Sequence, residues 1–157
     1  MRAFTPILTA RQMRRCDAYT IRETGVPSHI LMERAAAALV RCIDSRPALF
    51  PAGQVLILCG GGNNGGDGFV MARVAAKQGW QVQVLLAEGE PKTPDAITNF
   101  GSLRDLPVEI LHDAASAAPA DAVVDALYGT GFHGTLRPAG RAACDLMNRQ
   151  HQNGALL

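Results

Sequence analysis

The sequence has few of the features that mark secreted, membrane-spanning or nucleic-acid-binding proteins. Its 157 residues include only four cysteines, and none of them forms a C-x-x-C motif. Lys and Arg number 15 against 14 Asp and Glu, so the net charge of +1 gives no basic surface for a polyanion. No apolar run approaches the roughly 18 residues of a membrane span, and the N-terminus lacks a secretory apolar segment. These absences predict a cytoplasmic protein with reduced, mostly structural cysteines and no nucleic-acid or membrane partner.

The first part of the chain predicts two helices before any strand. Thr9 and Gln12 form a capping box at the start of a helix over residues 9–24. Ser28 is expected to cap a second helix, which covers residues 28–44. Apolar residues at helical spacing define its expected buried face: Leu31, Ala35, Leu39 and Cys42.

Short apolar runs then alternate with helical stretches. The predicted strands are residues 54–59, 81–87, 108–111 and 122–127, and the predicted helices are residues 67–78, 94–104 and 138–149. Strands that are apolar throughout suit a parallel sheet covered on both faces. The alternation predicts an α/β fold, a Rossmann-like three-layer sandwich with a mostly parallel central sheet. Without an internal repeat or linker, residues 1–157 are expected to form a single domain.

A glycine-rich segment between the first strand and its helix carries the strongest functional signal. Gly60, Gly62 and Gly65 satisfy the pattern G-x-G-x-x-G, which lets a backbone approach a pyrophosphate at a helix N-terminus. Asn63, Asn64 and Asp67 add oxygen atoms that can bind ribose, amide groups or a hard monovalent cation. A purely structural interpretation stays open, with the asparagines in a tight turn of positive φ and Asp67 as a helix cap.

A second segment combines a carboxylate with another glycine-rich loop. Asp125 lies in an otherwise apolar strand, where burying its charge is costly unless a partner or cation compensates it. Ligands bind near the carboxyl ends of strands in open α/β sheets, and Asp125 lies at such an end. The alternative is that Asp125 only caps a neighbouring turn or faces solvent. The glycines of residues 129–134 make the following loop flexible enough to fold over a ligand.

Three segments together resemble the NAD(P)H-hydrate epimerase family, the YjeF N-terminal domain. They are CGGGNNGGDGFVMAR at 59–73, VVDALYGTGFHG at 123–134 and GVPSHILMERAA at 25–36. The resemblance implies an enzyme that interconverts the 6R and 6S forms of hydrated NADH and NADPH (NADHX and NADPHX) in nucleotide repair. It also implies a homodimer and, in longer relatives, fusion to an ADP/ATP-dependent NAD(P)H-hydrate dehydratase domain.

The resemblance also assigns roles to particular residues. It implies that Asn64 and Asp125 coordinate a potassium ion, K⁺. In the family a further strand with a pattern like V-D-I-P-S-G supplies a catalytic Asp and another potassium ligand. Because residues 153–157 resemble a turn entering a strand, the missing part of the fold and that Asp are expected beyond Leu157. The residues implied to bind substrate are Asn63, Asn64, Gly65, Gly66, Asp67, Gly129, Thr130, Gly131, Phe132, His133, Gly134 and Thr135.

Two other functions compete with this interpretation. A nicotinamide-dependent oxidoreductase would place an acidic residue about 20 residues beyond the glycine loop, and the candidates Glu88 and Glu90 lie rather far downstream. No Tyr-x-x-x-Lys constellation for hydride transfer accompanies them. A non-catalytic nucleotide-binding or scaffold domain of the same fold is the second alternative.

Overall fold

The computed structural model describes residues 7–51 and 53–157, and its elements follow the predicted order. Within these residues two helices precede a regular alternation of strands and helices, with a short 3₁₀ turn at Ala114–Ser116. The helices are α1 (Ala10–Arg22), α2 (Ser28–Asp44), α3 (Asn63–Lys77), α4 (Pro94–Gly101) and α5 (Pro138–Gln152), and the strands are β1 (Gln54–Cys59), β2 (Gln81–Leu86), β3 (Val108–Leu111) and β4 (Ala122–Ala126).

The four strands form one parallel sheet in the order β3-β2-β1-β4. The chain moves outward from β1 to β2 and β3, and then returns to place β4 on the other side of β1. The order therefore reverses between β1 and β4. In open α/β sheets, ligands bind at the carboxyl ends of strands at such a reversal.

Helices cover both faces of this sheet, as the apolar strands predict. Ile57 and Cys59 of β1 belong to a core shared with α2, α3 and α4. Leu56 and Leu58 of the same strand belong to a second core, to which α5 contributes Ala143 and Leu146. Alternate side chains of one strand thus enter opposite cores, and the three-layer Rossmann-like arrangement is confirmed.

The N-terminal helices confirm one prediction and correct two. Thr9 caps α1, and its capping box with Gln12 is present. Ser28, by contrast, is the first residue of α2, and the N-cap position is Pro27, which makes no side-chain cap bond. The predicted buried face of α2 is also wrong, because Leu39 is 43% exposed and the residues that are buried are Ala36, Val40 and Ile43. This alanine-rich helix carries two apolar stripes at helical spacing, and the one containing the β-branched Val40 and Ile43 faces the sheet.

Several boundaries differ from those predicted. The second and fourth strands end one residue early, α4 ends at Gly101, and α5 continues to Gln152. The largest difference is that α3 begins at Asn63, four residues before the predicted start. Because each glycine disfavours a helix by about 1 kcal/mol, the prediction placed Gly65 and Gly66 in a loop. Tertiary packing outweighs this preference, as the site geometry shows.

The sheet extends one step past β4. The Val123 N–H donates to the Leu156 carbonyl at 2.8 Å, and the Leu156 N–H donates to the Asp121 carbonyl at 2.7 Å. This single parallel bridge places Leu156 beside β4, after a turn in which Gly154 lies in the left-handed region at φ 103°.

The four cysteines are unpaired, as predicted, but only Cys59 is fully buried, and burial raises the pKa of its thiol. In the described ranges, no helix combines the length and apolar character needed to cross a membrane.

Candidate functional site

The candidate site lies where the sheet order reverses, between the carboxyl ends of β1 and β4. The Gly60 N–H, directly after β1, donates to the Ala126 carbonyl at the end of β4, at 3.0 Å. This bond joins the starts of the two glycine-rich segments. The topology therefore brings together two motifs that are about 65 residues apart in the chain.

Glycines in the first segment allow α3 to approach the strand ends closely. A Cβ on Gly65 would lie 1.8 Å from the Gly60 carbonyl oxygen, and one on Gly60 would lie 1.9 Å from the Leu127 carbonyl oxygen. One on Gly68 would lie 2.7 Å from Cys59 Sγ. Since real Cβ atoms do not make such contacts, only glycines at these positions allow the N-terminal part of α3 to pack this closely against the strand ends. Gly65 and Gly66 are buried in this packing.

Three polar residues of the predicted site line one cavity of about 230 Å³: Asn64, Asp67 and Asp125. Its other wall is the exposed side of α2, including Ala35 and Leu39. The structure thus brings together side chains of α3 and β4, which belong to separate motifs in the sequence. Asn63 is exposed at the first position of α3 and is not part of this lining.

Asp125 combines a turn-stabilising bond with its position in the cavity. Its Oδ1 accepts from the Leu127 N–H at 3.0 Å, and the residue remains exposed. The alternative that Asp125 caps a neighbouring turn is therefore correct for this oxygen. The carboxylate has a second oxygen, which that bond leaves available at the cavity.

The structure excludes the cap interpretation of Asp67. Gly62 is the N-cap of α3 and Asp67 is its fifth residue, beyond the first turn. The asparagines are helical as well, and among the described residues no non-glycine residue has positive φ. Asp67 is exposed, but the surrounding protein removes enough water to raise the pKa of its carboxyl above the usual 3.8.

The second glycine-rich segment forms an open loop beside the cavity. Gly129 packs against Asn64, since a Cβ there would lie 3.6 Å from Asn64 Cβ. Thr130 accepts from the Arg14 guanidinium of α1 at 3.1 Å, and the Phe132 ring lies 4.4 Å from that of Tyr128. All of the predicted wall, residues 129–135, is exposed, and none of these residues lines the cavity.

Reasoning from the sequence missed one polar cluster at this edge. Glu88 follows β2 and its side chain is only 5% exposed. Tyr128 donates to its Oε1 at 2.5 Å, and Arg137 forms an ion pair with its Oε2. Burial and the neighbouring Glu88 raise the pKa of Tyr128 to about 12. Because both carboxylate oxygens are occupied, Glu88 does not offer the free acid that an oxidoreductase uses to bind ribose.

Comparison with known proteins identifies the family. The model of the family described as YjeF-related protein N-terminus matches residues 28–156. A Rhodobacter capsulatus protein named NAD(P)H-hydrate epimerase is 41% identical over 135 residues, covering 82% of this chain and 64% of that protein. A Roseobacter litoralis protein of the same name is 38% identical over 150 residues, covering 83% of this chain and 66% of that one. The chain therefore spans just under two thirds of the length of these relatives.

Longer relatives and a solved structure agree with this assignment. A Salinibacter ruber protein named bifunctional NAD(P)H-hydrate repair enzyme Nnr is 36% identical over 160 residues, covering 91% of this chain and 30% of that protein. The crystal structure of yeast ynu0 superposes with a TM-score of 0.72 at 20% identity, covering 94% of this chain and 67% of that one, and shows the shared fold. From the match over residues 28–156, the chain belongs to the YjeF-related N-terminal family.

Proposed function

We propose that this protein epimerises the 6R and 6S forms of NADHX and NADPHX. One observation carries the proposal: Asn64, Asp67 and Asp125 line a single cavity at the point where the sheet order reverses. Family membership and the names of relatives at 38–41% identity support the same activity. The proposal accounts for polar groups that an ordinary dinucleotide fold does not need at this position.

The two glycine-rich segments have different parts in binding. The N-terminus of α3, which begins at Asn63, presents main-chain N–H groups and the positive end of the helix dipole, which suit a phosphate. Asn63, Asn64 and Asp67 supply side-chain partners for the rest of the nucleotide. Residues 129–135 form the second wall, with Gly129 as its point of contact with Asn64.

A potassium ion fits the donors that this cavity offers. Asn64 supplies an amide oxygen and Asp125 a carboxylate oxygen, both hard ligands. Across residues 7–51 and 53–157, no cluster of three or more His, Cys, Asp or Glu side chains could hold a metal, so a site of transition-metal type is not supported. When bound, K⁺ would supply a fixed positive charge that holds the anionic ligand in place.

Epimerisation at C6 needs a proton donor and acceptor. The hydroxyl leaves and returns on the opposite face, or the ring opens and closes, and either route requires a positioned acid–base group. We propose that the ring nitrogen assists departure of the hydroxyl. The residues of this cavity bind and orient the nucleotide for that step.

The remaining parts of the proposal concern the cell and the assembly. We propose that the protein works in the cytoplasm as a homodimer. The bifunctional name of the Salinibacter ruber relative supports cooperation with a dehydratase that acts on hydrated nucleotides. The homodimer is checked by the molar mass in solution, measured by light scattering at several concentrations.

The activity is tested with purified 6R-NADPHX, with and without potassium, using the 157-residue chain and any longer product of the same gene. We expect potassium to accelerate formation of the 6S epimer. Asp125→Asn keeps an oxygen that can accept from Leu127 but loses the charge, so we expect kcat/KM to fall about 100-fold, as for groups that orient a bound metal. Asp145→Asn, exposed on α5, is the matched control and should leave the rate unchanged.

Two results would count against the proposal. Binding of NADPHX by folded protein without epimerisation in any form of the gene product would favour the non-catalytic alternative. Equal rates with and without potassium would remove the cation from the proposal and leave the nucleotide site. Oxidation of NADPH, followed at 340 nm, would indicate the oxidoreductase alternative instead.

A further inference from the structure

Glu88 is a buried charge at the carboxyl edge of the sheet that neither binding nor the acid–base step uses. With 5% of its side chain exposed, its carboxylate depends on protein partners for compensation. Tyr128 and Arg137 provide them, one at each oxygen. These partners come from opposite sides of one loop, because Tyr128 precedes residues 129–135 and Arg137 follows them.

The surrounding structure makes space for this arrangement. A Cβ on Gly140 of α5 would lie 2.0 Å from the Tyr128 hydroxyl and 2.9 Å from Glu88 Oε1. Gly140 is itself buried, so the helix surface is shaped around the Tyr128–Glu88 bond. A glycine inside a helix is unfavourable by about 1 kcal/mol relative to alanine, which here is offset by the room it leaves.

The cluster of Glu88, Tyr128 and Arg137 is connected to the loop 129–135 by two packing contacts. The Phe132 ring, at the middle of the loop, packs on the Tyr128 ring at 4.4 Å. Gly129, next to Tyr128, lies against Asn64 in the cavity. The positions of Tyr128 and Arg137 therefore limit how far residues 129–135 can move from the cavity.

We infer that Glu88 is a positioning residue, which fastens both ends of the loop 129–135 and so sets the distance between the two walls of the nucleotide site. Its role toward NAD(P)HX rests on the proposed function, whereas its hold on the loop does not. Removing its charge breaks an ion pair and weakens a short hydrogen bond at once. The loop then opens more often, while the sheet and its cores stay intact.

The hold on the loop is tested by amide hydrogen exchange with Glu88→Gln, which keeps the size of the side chain. We expect amides of residues 129–137 to exchange at least about tenfold faster, the factor typical of losing a charged hydrogen bond, with β1 and α3 unchanged. The matched control is Glu90→Gln, exposed two residues away. Unchanged exchange in the loop, or equal acceleration throughout the protein, would overturn the inference.

Variants at Arg137 and Tyr128 test the mechanism if Glu88→Gln fails to fold. Arg137→Lys keeps a positive charge for Glu88, so its loop amides should exchange at close to the wild-type rate. Arg137→Gln should make amide exchange in the loop faster. Tyr128→Phe removes the hydroxyl and keeps the ring, so it should make amide exchange in the loop faster as well. Wild-type exchange in both Arg137→Gln and Tyr128→Phe would show that the cluster does not hold the loop.

Steady-state kinetics test the role toward the substrate. We expect Glu88→Gln to raise the KM for 6R-NADPHX about tenfold and to change kcat less than twofold, because the wall binds but does not react. Unchanged KM with a faster-exchanging loop would overturn the role of Glu88 in setting the site. If the wild-type protein neither binds nor epimerises NADPHX, the proposed function fails, while the exchange measurements still decide whether Glu88 holds the loop.

Discussion

The two glycine-rich segments of the site differ in what surrounds their glycines. In residues 60–68, Cβ atoms on Gly60, Gly65 and Gly68 would come within 1.8–2.7 Å of other protein atoms. In residues 129–134, one on Gly129 would make ordinary contact, and Gly131 and Gly134 have no atom within 4 Å of such a position. The same residue type therefore serves close packing in one wall and an open loop in the other.

This difference separates a rigid wall from an adaptable one. The first segment is fixed by the packing of α3 on the strand ends, so its polar side chains have defined positions before ligand binds. The second is held through its ends, by Tyr128 and Arg137, and is otherwise exposed. A site with one wall of each kind combines a preorganised turn at a helix N-terminus with a loop that is free to adjust.

Gly65→Ala should give the largest loss of stability, because the new Cβ disrupts the packing of α3 on the strand ends. Its Cβ would lie 1.8 Å from the backbone oxygen of Gly60, and no side-chain rotation relieves that contact. We expect the free energy of unfolding to fall by about 3 kcal/mol or more, measured by denaturant titration. Gly62→Ala is the control, since its Cβ meets no atom within 4 Å and its cost, that of a poorer N-cap, should be at most about 1 kcal/mol. Similar losses for the two variants would refute the assignment of a packing role to Gly65.

Sequence reasoning succeeded where one local signal agreed with the tertiary structure. The capping box at Thr9, the strand ranges 54–59 and 108–111, and the parallel three-layer arrangement were all predictable from pattern and capping chemistry. The family resemblance implied that Asn64 and Asp125 share one site, and the structure places both of them with Asp67 in the lining of one cavity.

It failed where packing in the folded protein is decisive. Helix propensity alone puts Gly65 outside a helix, and it does not report that the Gly60 carbonyl packs against Gly65. The buried side of α2 was misassigned because the helix has two apolar stripes, and only packing in the folded protein determines which of them enters the core. Glu88 was judged by its spacing from the glycine loop, and its partners Tyr128 and Arg137 lie 40 or more residues away.

Gly134→Ala tests the open wall and should have an intermediate effect. Gly134 has φ 96°, so alanine there is strained by about 1–2 kcal/mol although no atom blocks its Cβ. Gly131→Ala is the matched variant in the same loop, with φ outside the left-handed region and equally open surroundings. It should change the free energy of unfolding by less than about 0.5 kcal/mol. Losses of similar size in both variants would show that the loop is packed rather than open.

Asp67→Asn should give the smallest effect and the opposite sign. Desolvation in the rigid wall raises the pKa of Asp67, so the folded state favours the protonated acid more than the unfolded state does. The wild-type protein therefore loses stability as pH rises through the raised pKa, and Asn, which stays neutral, avoids that loss.

The effect of Asp67→Asn is measured by denaturant titration in potassium-free buffer between pH 7 and pH 3. We expect the variant to be more stable at pH 7 and the gain to disappear below the ordinary value of 3.8, where the wild-type carboxyl is neutral in both states. The gain is small because Asp67 is exposed and solvent screens its charge. Asp95→Asn, in the first turn of α4, is the control and should lose stability, because a carboxylate there favours the helix dipole. A loss of stability in Asp67→Asn at pH 7 would mean that the surrounding protein stabilises this charge, which would contradict the raised pKa of its carboxyl.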